Sequence, residues 1–284
     1  MKTLCSFATL LKKNKPLIMG ILNTTPDSFS DGGKFTTLDS SSAHALQMIN
    51  EGADLIDIGG QSTRPGAVEI SAEEEICRIL PVIKYLREKA PGKILSVDTT
   101  KAEVAETVLK EGVSVINDVS GGEGEDLLEI VSKYNAGLII MHKKGLPETM
   151  QLDPSYNDVV GEIKAYLTHM CDLACSAGVS RDKLVVDPGI GFGKLLTHNI
   201  AILNALNEFS EIGYAVMIGT SRKRSLQEIC GIQSPAEMEG ATCATTALGV
   251  QSGAKIFRVH DVKANRQAAD VAWAVLNNKF VKPE

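Results

Sequence analysis

Short apolar runs recur along this chain at residues 17–22, 55–58, 94–97, 113–116, 138–141, 184–186, 215–218 and 256–259. Most are continuously apolar rather than alternating, the pattern of parallel strands buried on both faces. Helical patterns fill the gaps, at residues 40–51, 101–111, 125–134, 156–177, 199–209, 235–252 and 262–277. Another opens at Ser71-Ala72-Glu73-Glu74, a capping box ahead of Ile76, Ile79, Leu80 and Ile83. Gly52, Gly112, Gly137, Gly178, Gly213 and Gly253 stand where helices should end, as C-terminal capping glycines do.

Eight strands alternating with helices predict an α/β fold, a (β/α)8 TIM barrel forming one domain over residues 1–284. A doubly wound open sheet produces the same local pattern. Its dinucleotide fingerprint, G-x-G-x-x-G, is missing from the first strand–helix connection. No linker or shift of composition divides the chain.

The formal net charge of -6 argues against general nucleic-acid binding, which prefers a basic surface. No run reaches membrane length and the N-terminus lacks a signal-peptide core, so the protein is expected to be cytoplasmic. Six scattered cysteines lack zinc-site spacing and read as reduced, mostly buried thiols. Cys171 and Cys175 fall on one face of a helix.

The C-terminal ends of barrel strands form one mouth, and here each end carries polar groups. The first run empties into Asn23-Thr24-Thr25-Pro26-Asp27-Ser28-Phe29-Ser30-Asp31-Gly32-Gly33, too polar and glycine-rich for core. An amide followed by more oxygen donors suits a hard cation or a phosphate. Further ends carry Asp98, Asn117, His142, Asp187, Lys223, Arg258 and His260. A lone Asp or Asn after a strand is most often a helix N-cap. Their repetition around one mouth suits a polar heterocycle joined to a phosphate. Arg258 and His260 lie two apart and should point the same way. Residues 187–194 resemble a glycine-rich phosphate cradle but lack Walker spacing. With no G-x-S-x-G elbow and no H-E-x-x-H, the chemistry is expected to rest on positioning and electrostatics.

These segments together resemble the dihydropteroate synthases. Asn23 to Gly33 is similar to the family's first loop, and Gly60-Gln61-Ser62-Thr63-Arg64-Pro65-Gly66-Ala67 to its second. Val97-Asp98-Thr99-Thr100-Lys101, Ile116-Asn117-Asp118, Met141-His142, Asp187 to Lys194, Ser221-Arg222-Lys223 and Arg258-Val259-His260 complete the set in order.

The resemblance implies a TIM-barrel enzyme, usually a homodimer. It would join p-aminobenzoate to 6-hydroxymethyl-7,8-dihydropterin diphosphate, releasing 7,8-dihydropteroate and diphosphate, a step of folate biosynthesis inhibited by sulfonamides. Asp98, Asn117, Asp187 and Lys223 would bind the pterin edge, with Met141 against the ring. Arg258 would stack on the pterin and, with His260 and Asn23, hold the diphosphate and its Mg²⁺. Thr63 would meet both substrates, and Arg64, Pro65 and Phe192 would complete the p-aminobenzoate pocket. Asp98 and Lys223 would carry the chemistry, an SN1-like substitution. Residues 24–33 would act as a lid with glycine hinges.

Two positions depart from the family pattern. Arg224 follows Ser-Arg-Lys where many relatives carry Ser, and Lys143-Lys144 follows His142 where a less charged pair is common. A folate-dependent methyltransferase barrel would share the strand-end Asp and Asn groups. It would not need the Pro-Asp-Ser-Phe-Ser, Ser-Thr-Arg-Pro or Ser-Arg-Lys segments, all present here. A barrel that binds without catalysis would not need polar groups at every strand end.

Overall fold

The apolar runs form the expected strands in this computed structural model, which describes residues 6–24, 37–61, 69–122, 124–145, 150 and 152–279. The strands are β1 (Leu17–Asn23), β2 (Leu55–Gly59), β3 (Ile94–Asp98), β4 (Val115–Asp118), β5 (Gly137–Met141), β6 (Leu184–Asp187), β7 (Ala215–Ile218) and β8 (Ile256–Val259). They pair in sequence order, all parallel, and β8 closes on β1 with Leu17 opposite Ile256. The open sheet is thereby excluded.

Among the described residues, the helices are α1 (Phe7–Leu11), α2 (Thr37–Asn50), α3 (Ala72–Lys89), α4 (Ala102–Lys110), α5 (Glu125–Lys133), α6 (Val159–Ser176), α7 (Leu196–Asn204), α8 (Leu206–Ser210), α9 (Arg224–Cys230), α10 (Glu239–Gln251) and α11 (Val262–Asn277). The Ser71 side chain accepts from the Glu74 amide at 3.2 Å, the capping bond the sequence predicts. Two expected helices are interrupted. The segment 199–209 breaks at Ala205 into α7 and α8, and 235–252 begins as a separate 3-10 turn over Pro235–Glu237.

Gly52, Gly112, Gly178, Gly213 and Gly253 take the left-handed backbone of helix ends, but Gly137 does not. Asn135 supplies the positive φ after α5, and Gly137 opens β5 instead. A Cβ at Gly137 would collide with the Phe7 ring, so the missing side chain makes room for α1.

Side-chain alternation divides the core in two. Ile56, Ile58, Val97, Ile140, Val186 and Phe257 pack outward against the helices. Leu17, Met19, Leu55, Ile94, Val115, Ile139, Val185, Met217 and Ile256 fill the barrel's lower interior. Phe7 and Leu10 of α1 join that inner cluster and close the floor. The next inward position up each strand lies two residues on. Leu55, Ile94, Val115, Val185 and Ile256 therefore give way to Asp57, Ser96, Asn117, Asp187 and Arg258. An apolar floor thus carries a polar upper layer.

Candidate active site

That upper layer is built around Arg258. Its Nε donates to Asp57 Oδ2 at 2.7 Å and its Nη2 to Asp98 Oδ2 at 2.7 Å. Asn117 Nδ2 donates to the same Asp57 oxygen at 3.0 Å. One guanidinium thus ties β8 to β2 and β3, and one amide ties β4 to β2. Asp57 is fully buried, and Asp98 and Asn117 nearly so. Unpaired carboxylates at such depth would be strongly unfavourable, so the guanidinium is what permits two of them.

Burial pushes the Asp98 carboxyl up to about 7, with Arg258 opposing the rise and Asp57 adding to it. Arg258 is held above its ordinary range, because Asp57 and Asp98 outweigh its own desolvation. Asp98 Oδ1, Asp57 Oδ1 and Asn117 Oδ1 are buried with no hydrogen-bond partner among the described residues. Buried acceptors left open are unfavourable unless a ligand meets them. Clustered acceptors select a ligand rich in N–H donors.

Asp57 is missing from the residues expected from sequence. It hides inside an apolar run as its one charged residue, flanked by Ile56 and Ile58. A carboxylate enclosed in that way was the available signal.

The opposite wall comes from β5, β6 and the loops after β6 and β7. Met141 is buried and in register with Asp187. Asp187 Oδ1 accepts from the Gly189 amide at 2.7 Å, and burial raises its pKa against the pull of Lys223. Lys223 donates to the Ile190 carbonyl, and its Nζ lies 4.6 Å from the Phe192 ring centroid. Burial lowers the Lys223 pKa to about 8, with Asp187 opposing the shift. A lysine poised there is a proton-bearing donor at neutral pH.

Beside Lys223, the backbone at Arg222 is left-handed, with φ 58°. Its guanidinium reaches Asp261 Oδ1 at 2.9 Å, while Ser221 Oγ lies 2.9 Å from His260 Nδ1. Two contacts thus join the loop after β7 to the end of β8. Asn23 ends β1 half-buried, its Oδ1 close to Gly59. At the base of the second loop, Gln61 Oε1 accepts from Lys101 Nζ at 2.6 Å and from the Ile70 amide at 3.4 Å.

Thr63, Arg64 and Pro65 lie outside the described residues, as does the expected lid beyond Thr24. The other expected site residues, Asn23, Asp98, Asn117, Met141, Asp187, Phe192, Lys223, Arg258 and His260, all stand at strand ends or in the loops that follow them. The N-cap alternative does not describe Asp98, Asn117 or Asp187, and Asp261, which precedes α11, turns its carboxylate to Arg222 rather than to a helix amide. Asp118 serves the backbone, accepting from Ser120 and Gly122 amides at 2.7 and 2.6 Å.

The segment 187–194 departs from the phosphate-cradle expectation. Lys194 is buried, with 3% exposure, and points under the loop toward His142. Arg224 is exposed and paired with Glu228 on its own helix. Lys144 is likewise exposed and donates to the Ser155 carbonyl at 2.6 Å.

Known proteins share both the sequence and this architecture. The profile of the family described as pterin binding enzyme matches residues 19–260. The dihydropteroate synthase of Bacillus subtilis (strain 168) is 42% identical over 271 residues, covering 95% of this chain and 92% of that protein. The Xanthomonas albilineans dihydropteroate synthase, solved with 4-aminobenzoic acid, superimposes with a TM-score of 0.88 at 41% identity, covering 93% of this chain and 94% of the other. The Yersinia pestis dihydropteroate synthase, solved in a sulfonamide drug complex, does so with a TM-score of 0.87 at 39% identity, covering 93% and 95%. With the closed barrel and its polar mouth, these likenesses make the chain a member of the pterin-binding enzyme family, among the dihydropteroate synthases.

Proposed function

We propose that the mouth condenses 6-hydroxymethyl-7,8-dihydropterin diphosphate with p-aminobenzoate, giving 7,8-dihydropteroate and diphosphate. The observation that carries the reading is the cluster of unpartnered acceptors on Asp57, Asp98 and Asn117 facing a Lys223 donor. A pterin edge supplies N–H donors to the first set and a ring acceptor to the lysine. Met141 packs on the ring.

Departure of diphosphate breaks the bond between the pterin methylene carbon and the diphosphate oxygen. The electron pair leaves with the diphosphate and positive charge develops on the methylene-pterin. The buried Asp98, as its carboxylate, stabilises that charge where little water competes. The amine nitrogen of p-aminobenzoate then bonds to the methylene carbon and gives up its proton. Arg258 and His260 face the diphosphate, and Phe192 borders the p-aminobenzoate together with Thr63, Arg64 and Pro65. Sulfonamides would compete at that pocket.

Mg²⁺ fits the donor set. Among the described residues no cluster of three His, Cys, Asp or Glu could cage a metal. Asn23 offers a single amide oxygen, which suits an ion held chiefly by substrate phosphates. When bound, Mg²⁺ would supply charge neutralisation to the leaving diphosphate.

We place two copies in the working unit. Leu248 of α10 and Val271 and Val275 of α11 are 60%, 64% and 77% exposed, an apolar face on two packed helices that a second chain would cover. Among the described residues no helix is long and apolar enough to cross a membrane. The described cysteines are free thiols, which favours a cytoplasmic setting.

The direct test mixes the protein with the dihydropterin diphosphate, p-aminobenzoate and Mg²⁺ and follows dihydropteroate and released diphosphate. Absence of both products would sink the assignment.

A further inference from the structure

The loop from β6 to α7 is pressed flat against the segment after β5. Gly189 and Gly193 take positive φ, and a Cβ on either would run into a carbonyl oxygen, that of His142 or of Lys144. These glycines serve close backbone approach rather than anion binding. Tyr156 Oη donates to the Gly193 carbonyl at 2.9 Å, and the Gly191 amide donates to Asn199 Oδ1 at 2.8 Å.

The Lys194 amine closes the arrangement from below. It lies 2.9 Å from His142 Nδ1, and it donates to the His142 carbonyl at 3.3 Å and the Phe192 carbonyl at 3.0 Å. None of these hydrogen-bond partners is a carboxylate, and the opposing charge of Asp187 offsets only part of the burial that lowers the Lys194 pKa. Burial and the neighbouring lysine hold the His142 pKa down to about 3, so its ring is neutral and Nδ1 is free to accept. Burying a lysine to bond three neutral acceptors is unfavourable unless their placement matters. On the far side of the same loop, the Ile190 carbonyl receives Lys223 and the Phe192 ring faces its Nζ.

We propose that Lys194 is a positioning residue for the p-aminobenzoate side of the mouth: by tying the Phe192 carbonyl to His142, its buried amine fixes the Phe192 ring. The proposal rests on the reading that Phe192 borders p-aminobenzoate. It assigns Lys194 no contact with either substrate. Asp57, Asp98 and Asn117 stand on β2, β3 and β4, to which Lys194 makes no hydrogen bond, so most of the pterin site is spared; Asp187 is the pterin group near Lys194, its carbonyl accepting from the His142 amide at 2.9 Å.

The test is Lys194→Met, which keeps the length of the side chain and removes its donors. The KM for p-aminobenzoate should rise about tenfold, as expected of a slightly misplaced wall. The Kd for dihydropterin diphosphate, measured calorimetrically, should stay within about twofold of wild type. Unchanged values of both constants would overturn the proposal. So would a parallel rise in both, which would mark a merely structural lysine. Should Lys194→Met fail to fold, the acceptor side decides. His142→Asn keeps an acceptor near Nδ1 and should preserve the p-aminobenzoate KM, whereas His142→Leu should raise it; equal effects of the two would overturn the proposal. A wild-type protein that makes no dihydropteroate would remove the underlying reading as well, and this control separates the two failures.

Discussion

Arg258 on β8 and Asp98 on β3 meet across the inside of the barrel, with Nη2 2.7 Å from Oδ2, while the same guanidinium holds Asp57 through Nε at 2.7 Å. Removing the cation would strand two buried carboxylates. Arg258→Met is therefore expected to destabilise the protein by about 3–5 kcal/mol in urea unfolding near neutral pH. The loss should shrink at acid pH, where the carboxyls take up protons. A loss that is the same at every pH would contradict the pairing.

Asp98→Asn keeps the shape of the side chain and removes the charge. Its kcat should fall by about 100-fold or more, because charge developing in the transition state is left without its partner. Turnover at the wild-type rate would end the electrostatic role for Asp98.

The raised Asp98 pKa also makes a stability prediction. The folded protein holds a proton up to about 7, whereas the unfolded chain releases it near the ordinary aspartate value of 3.8. The folded state thus binds more protons between those values, and the contribution of this group to stability falls as pH rises through about 7. Denaturant titrations of the ligand-free protein at several pH values should show this slope, and Asp98→Asn should flatten it.

Lys223 predicts a basic limb in catalysis. Its pKa of about 8 means that the donor form is lost above that pH. The kcat/KM for the pterin diphosphate, which reports the free enzyme, should decline there. Residual activity of Lys223→Met should lack the limb. Persistence of the limb in that variant would assign it to another group.

Asn23 bears on the metal. Asn23→Ala should raise the Mg²⁺ concentration needed for half-maximal activity, by about tenfold if the amide is a ligand. Chelation should weaken binding of the pterin diphosphate while leaving a pterin without diphosphate unaffected. Equal loss for both ligands would refute a diphosphate-bound metal.

The floor of the barrel can be tested independently. Phe7 is 3% exposed in the inner cluster. Phe7→Ala should cost about 3–5 kcal/mol of stability, with kcat unchanged. Val275→Glu on α11 should yield monomers in sedimentation if that face joins two copies, and an unaltered sedimentation coefficient would exclude it.

The order of elements was legible in the chain because strands buried on both faces read as apolar runs and helices as periodic ones. The strand-end groups could be named for the same reason, since each follows directly on a run. Asp57 was passed over, because its apolar neighbours on both sides read as one strand, although a charge inside that run was itself a signal. The role of Gly137 was hidden too. Its absent side chain answers to Phe7, 130 positions earlier, and not to its own helix end. The segment 187–194 resembled a phosphate cradle because spacing cannot tell which side of a loop a side chain such as Lys194 leaves.

The sequence by itself determined the alternation of strands and helices and the kind of groups that end each strand, for these depend on local periodicity and local chemistry. Only the closed barrel decided which of them meet. Closure brings β8 beside β1 and turns Arg258 toward carboxylates 160 and 201 positions away in the chain. Their protonation then follows from depth and neighbours, which belong to the assembled interior and not to any single segment.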